Sequence, residues 1–280
     1  MRILITGGRG FIGSHFVNYA ISNGHSVLVV DNESAPPVGE KNSKASYFKK
    51  CVSGMEPAKA FEPDVLIHLG EYSRVEASFD NSFFAMNNIV GNISHILEFC
   101  KVNKCKLIYA GSSTKFGDAL SPYSVSKTAN TEIVKQCCEL FGIDYAITYF
   151  YNAYGLGERA SGEYSTVIEK FIQAKLSGEP VVVNGTGSQC RNFTHVDDIV
   201  SGLYSVMMSG SGDGYGIGSD QSLSINEVIK LIGLNPSYSE STKGNRTIAD
   251  LNVEKTKKLG WEAKHSLKSY INNRLALHIS

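Results

Sequence analysis

The segment from Ser121 to Lys127 contains a tyrosine and a lysine spaced for acid–base chemistry. Ser121 followed by Pro122 predicts the start of a helix, with serine as the N-cap and proline in the first turn. On that helix Tyr123 and Lys127 are one turn apart and share a face. A free tyrosine has a pKa of about 10, and a nearby ammonium lowers such a pKa by roughly 1–3 units. The pair is therefore a candidate general base, whereas Tyr-x-x-x-Lys taken alone also fits a solvated helix face.

Ser112 is a third candidate for the same chemistry. It lies in Ala110-Gly-Ser-Ser-Thr114, at the end of an apolar run that predicts a buried strand. In open α/β sheets, ligands bind at the carboxyl ends of the strands. We therefore expect Ser112 to hold a substrate hydroxyl while Tyr123 accepts its proton.

A glycine array near the beginning of the chain predicts a phosphate site. Thr6-Gly-Gly-Arg-Gly-Phe-Ile-Gly13 follows the first apolar run and opens an amphipathic helix. Glycine lets a pyrophosphate approach the backbone, and a helix start supplies free N–H groups and a positive dipole. A merely tight turn is the alternative, but the strand before and the helix after favour a dinucleotide site. We assign its contacts to Gly7, Gly10, Phe11, Ile12 and Gly13.

Asp31 predicts which dinucleotide binds. It ends the second apolar run, where its carboxylate can accept hydrogen bonds from both hydroxyls of the adenosine ribose. A 2′-phosphate would meet a like charge, and Asn32 rather than an arginine follows. The sequence therefore favours NAD over NADP, although Lys41 or Lys44 could reach back to a phosphate. We expect later strand ends to complete the groove with Val52, Leu69, Gly70 and Asn87 of the Asn87–Asn88 pair.

These residues require a sheet that brings strand ends together. Short apolar runs alternate with longer helical stretches over residues 1–150, which is typical of a doubly wound parallel sheet. The predicted strands are Ile3–Ile5, Val27–Val30, Val65–Leu69, Leu107–Ala110 and Ala146–Phe150. The predicted helices are Phe11–Ser22, Ser82–Val102 and Pro122–Phe141. The sequence thus predicts an α/β, Rossmann-type dinucleotide-binding domain over residues 1–150.

The alternation weakens after residue 150. We expect a smaller substrate-binding lobe over residues 151–280, with some chain crossover between the two parts. Its predicted elements are helices Glu163–Leu176, Val196–Met207, Asn226–Ile232, Val253–Lys258 and Leu267–Leu275 and the strand Val181–Val183. The glycine- and serine-rich segment Ser209–Gly214 and the polar segment Glu33–Ser46 read as loops.

Composition narrows the class of protein. The chain has 280 residues, 42% hydrophobic and 19% charged, with 27 basic and 27 acidic residues. Zero net charge argues against a protein that coats nucleic acid or an anionic membrane, and no apolar run is long enough for a membrane span. The six cysteines form no C-x-x-C pair, so we expect buried free thiols and no metal site. A strand beginning at Arg2 leaves no room for a signal peptide, which predicts a cytoplasmic protein.

Motifs spread over residues 1 to about 260 resemble the extended short-chain dehydrogenases/reductases that act on nucleotide sugars, of the UDP-glucose 4-epimerase type. They are TGGRGFIG, VVDN, HLGEYSRVEAS, GSSTKFG, PYSVSK, FYNAYG and RNFTHVDD. The resemblance implies that Ser112, Tyr123 and Lys127 are the catalytic residues. It also implies that Asn152 contacts and Arg191 clamps the substrate diphosphate, with Arg246 or Lys243 as a second cation. We add Arg74 and Thr114 as expected substrate contacts.

Three departures from the resemblance bear on the reaction. Dehydratases of the family carry an Asp-Glu pair where this chain has Ser113 and Thr114. The interval from Ser112 to Tyr123 is shorter than usual. Glu71 replaces a small alanine close to Arg74, and the two either shape an unusual sugar site or form a mutual salt bridge.

The leading interpretation is an NAD-dependent nucleotide-sugar epimerase that works through a keto-sugar intermediate. A dehydrogenase or 4-keto reductase would use the same residues but exchange its cofactor. A non-catalytic NAD-sensing protein is a third alternative, against which all three catalytic residue types are present. Helices Ser82–Val102 and Pro122–Phe141 resemble those that form a four-helix interface in relatives, which predicts a homodimer.

Overall fold

Strands buried on both faces form the centre of the computed structural model, which describes residues 1–240 and 250–277. In the first strand, Ile3 and Ile5 face one hydrophobic cluster, and Leu4 faces a second cluster on the other side. All three side chains are fully buried. Complete burial of such a side chain contributes roughly 1.5–3 kcal/mol, so alternate residues bind a helical layer to each face of the sheet.

The described strands and helices follow in chain order. The strands are β1 (Arg2–Thr6), β2 (Ser26–Asp31), β3 (Ser46–Lys49), β4 (Val65–His68), β5 (Lys106–Ser112), β6 (Tyr145–Phe150), β7 (Ala153–Tyr154), β8 (Val182–Asn184), β9 (Cys190–Asn192), β10 (Thr194–His195), β11 (Gly212–Ile217), β12 (Ser222–Ser224) and β13 (Ser237–Ser239). The helices are α1 (Phe11–Ser22), α2 (Ser82–Asn103), α3 (Pro122–Phe141), α4 (Val167–Ser177), α5 (Val196–Ser209), α6 (Ile225–Ile232), α7 (Glu254–Lys257) and α8 (Leu267–Ala276). Short 3₁₀ turns lie at Val52–Gly54, Glu56–Phe61 and Ser113–Phe116.

Seven of the described strands form one parallel sheet, in the order β3-β2-β1-β4-β5-β6-β11. Helices α1 and α5 pack on one face, and α2 and α3 pack on the other. This confirms the predicted doubly wound sheet. Strands β2 and β3 lie on one side of β1, and β4, β5 and β6 lie on the other, so the order of strand addition reverses at β1. Such a reversal opens a crevice at the carboxyl ends of the strands.

The rest of the second half builds a separate hydrophobic cluster. Helices α4, α6 and α8 pack around Tyr154, Phe171 and Ile229, all of which are buried. The short pairs β8–β13 and β9–β12 accompany these helices. The lobe that they form carries the residues that complete the cavity described below.

Several sequence expectations need correction. The segment Ser209–Gly214 is not wholly a loop, because β11 begins at Gly212 and pairs with β6 as the last strand of the sheet. Ser46, predicted as loop, begins β3, which pairs with β2. Helix α4 begins at Val167 rather than Glu163, because residues 158–166 extend along the cavity.

No described helix combines the length and apolar character that a membrane span needs. Helix α3 begins as predicted, with Ser121 as the N-cap and Pro122 in the first turn. The Ser121 side chain accepts a hydrogen bond from the Ser124 N–H, and the Ser124 hydroxyl accepts one from the Ser121 N–H. This capping box fixes the start of the helix that carries Tyr123 and Lys127.

Candidate active site

A cavity of about 780 Å³ lies at the carboxyl ends of the strands, between the sheet and the lobe. It gathers residues that are far apart in the sequence. The predicted site residues that line it are Gly7, Gly10, Phe11, Ile12, Gly13, Asp31, Asn32, Val52, Leu69, Gly70, Arg74, Ser112, Thr114, Tyr123, Lys127, Asn152 and Arg191.

Among the predicted site residues that the structure describes, Asn87 is missing from this lining. Asn87 is exposed on α2, and its neighbour Asn88 lines the cavity instead, together with Asn92 one turn later. Adjacent helical residues point about 100° apart, so only one member of the pair can face the cavity. The Asn88 side chain accepts a hydrogen bond of 2.7 Å from the Tyr72 N–H. Arg246 and Lys243 lie outside the described residues.

The glycine turn after β1 is packed too tightly for side chains. Gly7 has a φ of +72°, and a Cβ there would lie 2.6 Å from the Gly70 nitrogen. A Cβ at Gly13 would lie 2.1 Å from the Gly7 carbonyl oxygen. At Gly10, the N-cap of α1, the nearest atom to a Cβ is 3.3 Å away, so packing alone does not exclude a side chain there. Because Gly10 has no side chain, the first N–H groups of α1 have no side-chain cap. A phosphate can therefore bind at this helix start.

Asp31 stands at the end of β2 beside this turn. Its carboxylate accepts hydrogen bonds from the N–H groups of Arg9, at 2.9 Å, and Glu33, at 2.8 Å. A carboxylate has about four lone-pair directions, so acceptor capacity remains for two ribose hydroxyls. Asp31 lines the cavity with Asn32, Ala35 and Pro36. The turn and the aspartate together fit the pyrophosphate and ribose of a dinucleotide.

Ser112 ends β5 and begins the 3₁₀ turn Ser113–Phe116. Its Oγ accepts hydrogen bonds from the Thr114 hydroxyl, at 2.9 Å, and from the Thr114 N–H, at 3.3 Å. With both donors pointing at it, the Ser112 oxygen can direct its own proton outward. Ser112 can therefore donate to a hydroxyl oxygen of a ligand in the cavity.

Lys127 lies one turn after Tyr123 on α3, and protein groups surround its ammonium. It donates to Glu71 Oε2 at 2.5 Å and to Tyr109 Oη at 3.1 Å, and also to the Ala110 carbonyl oxygen. Burial would lower the pKa of Lys127, but the Glu71 charge and the Tyr109 and Tyr123 phenols raise it well above its usual range. The ammonium therefore stays charged at neutral pH.

Glu71 is a residue of the cavity lining whose partner the sequence did not reveal. Besides Lys127, it accepts hydrogen bonds from Tyr109 Oη at 3.1 and 3.2 Å and from Asn130 Nδ2 at 3.1 Å. His68 Nε2 lies 3.3 Å from its Oε1. Burial raises the pKa of Glu71, yet the Lys127 charge and the contacts with His68 lower it to about 2. Of the two alternatives for Glu71 and Arg74, the mutual salt bridge is therefore wrong, because Glu71 pairs with Lys127.

Arg74 instead fixes a segment that runs along the cavity. Its guanidinium donates to the Tyr164 carbonyl oxygen at 2.8 Å and lies 5.0 Å from the centre of the Tyr164 ring. Next to it, the Tyr72 hydroxyl donates to Glu163 at 2.7 Å. Arg74 also lines the cavity, and its Nε makes no hydrogen bond with any described residue.

Residues 155–166, which we call the strap, cross from this side of the cavity to the other. Arg159 donates to the carbonyl oxygens of Pro36, at 2.5 Å, and Pro37, at 3.1 Å. Glu158 of the strap lines the cavity, and burial raises its pKa to about 7 although it accepts a hydrogen bond from the Gly155 N–H. No motif in the sequence marked Glu158 as a residue of the site.

The lobe contributes Asn152 and Arg191 to the opposite wall. Asn152 follows β6, and Arg191 lies in β9, where it pairs with Leu223 of β12. Both residues line the cavity. An arginine on this wall can bind a phosphate through two parallel N–H groups.

Outside the cavity, the side chains of His195, Asp197 and His265 come within 4.8 Å of one another. His195 accepts a hydrogen bond from the Asp197 N–H at the start of α5, and His265 contacts the buried Asp198 at 2.8 Å. These contacts attach the chain near His265 to α5. The cysteines are free, as expected, but only Cys100, Cys105 and Cys138 are buried, and Cys190 is exposed.

The sheet, the glycine turn and the tyrosine–lysine pair define the class of dinucleotide-binding α/β enzymes. Residues 3–218 match the model of the NAD dependent epimerase/dehydratase family. The chain belongs to this family, and NAD is its cofactor.

Known relatives differ in the reaction they catalyse. A putative UDP-glucose 4-epimerase from Methanocaldococcus jannaschii is 28% identical, over 96% of this chain and 95% of that protein. A dTDP-D-glucose 4,6-dehydratase from Dictyostelium discoideum is 31% identical, over 82% of this chain and 61% of that protein. The crystal structure of the Thermotoga maritima UDP-glucose 4-epimerase with UDP-glucose superposes with a TM-score of 0.91 at 27% identity, over 99% of this chain and 98% of that one.

Proposed function

We propose that the protein epimerises a nucleotide-diphosphate sugar through a keto-sugar intermediate. The observation that carries this proposal is that one cavity is lined by Ser112, Tyr123 and Lys127 as well as by the glycine turn and Asp31. Bound NAD supplies a hydride acceptor that later returns the hydride. The similarity to UDP-glucose 4-epimerases over almost the full chain supports the choice of substrate class.

The residues of the chain handle the proton and the substrate. Ser112 donates a hydrogen bond to the hydroxyl at the reacting carbon, and Tyr123 takes the proton of that hydroxyl. Asn152 and Arg191 hold the diphosphate at the lobe. Tyr123 would return the proton to the same oxygen once the keto-sugar is reduced on its opposite face, which would give the epimer.

Loss of water from the sugar fits this site less well than epimerisation does. Ser113 and Thr114 occupy the positions where dehydratases of the family carry an acid pair, and neither can act as a carboxylic acid. Glu71 is a nearby carboxylate, but it is bound to Lys127. We therefore infer that no 4-keto-6-deoxy sugar is released.

The test is incubation with a panel of UDP-, GDP-, CDP- and dTDP-sugars, followed by proton NMR for a new anomeric signal. An epimerase turns over repeatedly without added cofactor and leaves no net NADH. A dehydrogenase or 4-keto reductase stops after one turnover unless NAD or NADH is supplied, which would replace the proposal by the alternative. A 4-keto-6-deoxy product would contradict our interpretation of Ser113 and Thr114.

We also infer that the protein is a homodimer formed through α2 and α3. These two helices pack together, and they and their flanking loops expose large apolar side chains: Phe79, Phe83, Phe84, Met86, Leu120, Val125, Leu140 and Phe141. An apolar surface on a helix pair suits a self-complementary interface between two copies.

A further inference from the structure

Every N–H group of the Lys127 ammonium has a protein acceptor in the described part of the chain. An ammonium has three N–H groups, and the acceptors are Glu71 Oε2, Tyr109 Oη and the Ala110 carbonyl oxygen. The Tyr109 hydroxyl accepts from Lys127 and donates to Glu71, which closes the network. The lysine is therefore held by the protein before any ligand binds.

The surroundings make this ion pair unusual. The side chains of Glu71 and Lys127 are 5% and 7% exposed. The titratable groups that face the pair are His68 at the end of β4, Tyr109 on β5 and Tyr123 on α3. These groups are an imidazole and two phenols, so Glu71 supplies the only carboxylate beside the ammonium among the described residues. A buried ammonium without such a partner loses its proton readily, because burial disfavours the charged form.

We propose that Glu71 is a positioning residue that holds the Lys127 ammonium, in its charged form, at the buried end of the cavity. The proposal rests on the function proposed above, in which Tyr123 takes the substrate proton one helical turn from the positive charge of Lys127. Glu71 acts through Lys127 and takes no proton from the substrate. Its negative charge offsets the unfavourable free energy of burying the charged lysine.

The decisive measurement is the pH dependence of stability in the variant Glu71→Gln. Glutamine keeps the size of the side chain and removes only the charge. In the parent the folded pKa of Lys127 is raised, so the stability due to this group is fully present below about pH 10.5 and lost above it. In E71Q the folded pKa of Lys127 falls below its unfolded value, so stability rises as the pH increases from 7 to 10.

Urea unfolding of the parent, E71Q and a control at several pH values between 7 and 10 measures how the free energy of unfolding changes with pH. The control is Glu132→Gln, which removes the same charge from an exposed ion pair with Lys115 at 3.0 Å. We expect the unfolding equilibrium constant of E71Q to fall by up to about tenfold per pH unit relative to the control. An E71Q slope equal to that of E132Q would overturn the proposal.

A second variant keeps the test decisive if E71Q folds poorly. Glu71→Gln combined with Lys127→Met removes both charges, so no unpaired buried charge remains. We expect the double variant to be more stable than E71Q at pH 7 and to lack its alkaline rise. A double variant no more stable than E71Q would show that the ion pair is not what E71Q disrupts.

Activity separates positioning from a purely structural role. We expect the kcat of E71Q to fall at least tenfold between pH 7 and pH 10 relative to the parent, as Lys127 loses its charge. An unchanged kcat profile beside an altered stability slope would refute the role in the reaction. The unfolding experiments need neither sugar nor cofactor, so a failure of the proposed function would be distinguishable from a failure of this inference.

Discussion

The Arg9 backbone N–H donates a hydrogen bond of 2.9 Å to Asp31 Oδ2, which joins the glycine turn after β1 to the end of β2. The part of the site that fits phosphate and the part that fits ribose are thus held at a fixed separation. Replacement of Asp31 should therefore affect both cofactor affinity and cofactor choice.

We predict that Asp31→Ala weakens NAD binding and reduces the preference for NAD over NADP. The carboxylate accepts hydrogen bonds from ribose hydroxyls and repels a 2′-phosphate. Calorimetry with both dinucleotides measures the two dissociation constants. Equal affinities in the parent protein would disprove the NAD preference.

We predict that Tyr123→Phe lowers turnover by roughly 10²–10⁴-fold, the usual contribution of one general base. The ring stays and only the proton acceptor is lost, so the dissociation constant of NAD should change little. Steady-state kinetics with the sugar identified by NMR gives the turnover. Parental activity in this variant would refute the mechanism.

We predict that Lys127→Met also lowers turnover, and that its loss does not add to that of Tyr123→Phe because both act through one phenolate. Lys127→Met additionally leaves the Glu71 carboxylate buried without its cation. The variant should therefore be less stable than the parent, by about 3–5 kcal/mol if it folds without rearrangement. Urea unfolding measures this loss, and Tyr123→Phe serves as the comparison that keeps the ion pair.

We predict that Arg191→Ala weakens nucleotide-sugar binding by about 2–4 kcal/mol, as for the loss of one partner of a buried charge pair. NAD affinity should hardly change. Arg2→Ala, which breaks an exposed ion pair with Glu62, is the matched control. If Arg191→Ala binds every nucleotide sugar as tightly as the control does, the substrate class is wrong.

We predict that Phe83→Glu converts the dimer into a monomer. The Phe83 side chain is 83% exposed on α2, and a charge there cannot be buried in an apolar interface without cost. Met208→Glu on α5 introduces the same charge elsewhere and should remain dimeric. Light scattering at micromolar concentration gives the mass of each, and a monomeric parent would contradict the assignment.

The sequence predicted the elements whose signals are local. Strand β1 is apolar at Ile3, Leu4 and Ile5 because both faces are buried, and Ser121 with Pro122 marks the start of α3. Strand β11 was missed because its glycines read as a loop. Gly216 is needed there because a Cβ would lie 1.9 Å from the Asn252 carbonyl oxygen.

The partner of Glu71 could not be read from the sequence. Arg74 lies one helical turn away in the chain, whereas Lys127 lies 56 positions away on another element. Only the sheet, which places β4 beside β5, and the packing of α3 bring the carboxylate and the ammonium together. Spacing along a chain identifies partners within one helix or turn and gives little information across a crossover.

The return of α5 and β11 to the sheet limits how this chain can be divided. A fragment ending at residue 150 would lack β11, so the backbone of β6 would form an open edge of the sheet. It would also lack Ile199 and Leu203 of α5, which cover an apolar face of the sheet. A fragment starting at residue 151 would carry those side chains without the surface they fit. Neither fragment could therefore be replaced by the matching fragment of a homologue. Chimeras of two family members should fold only if α1 and α5, which pack against each other, come from the same parent.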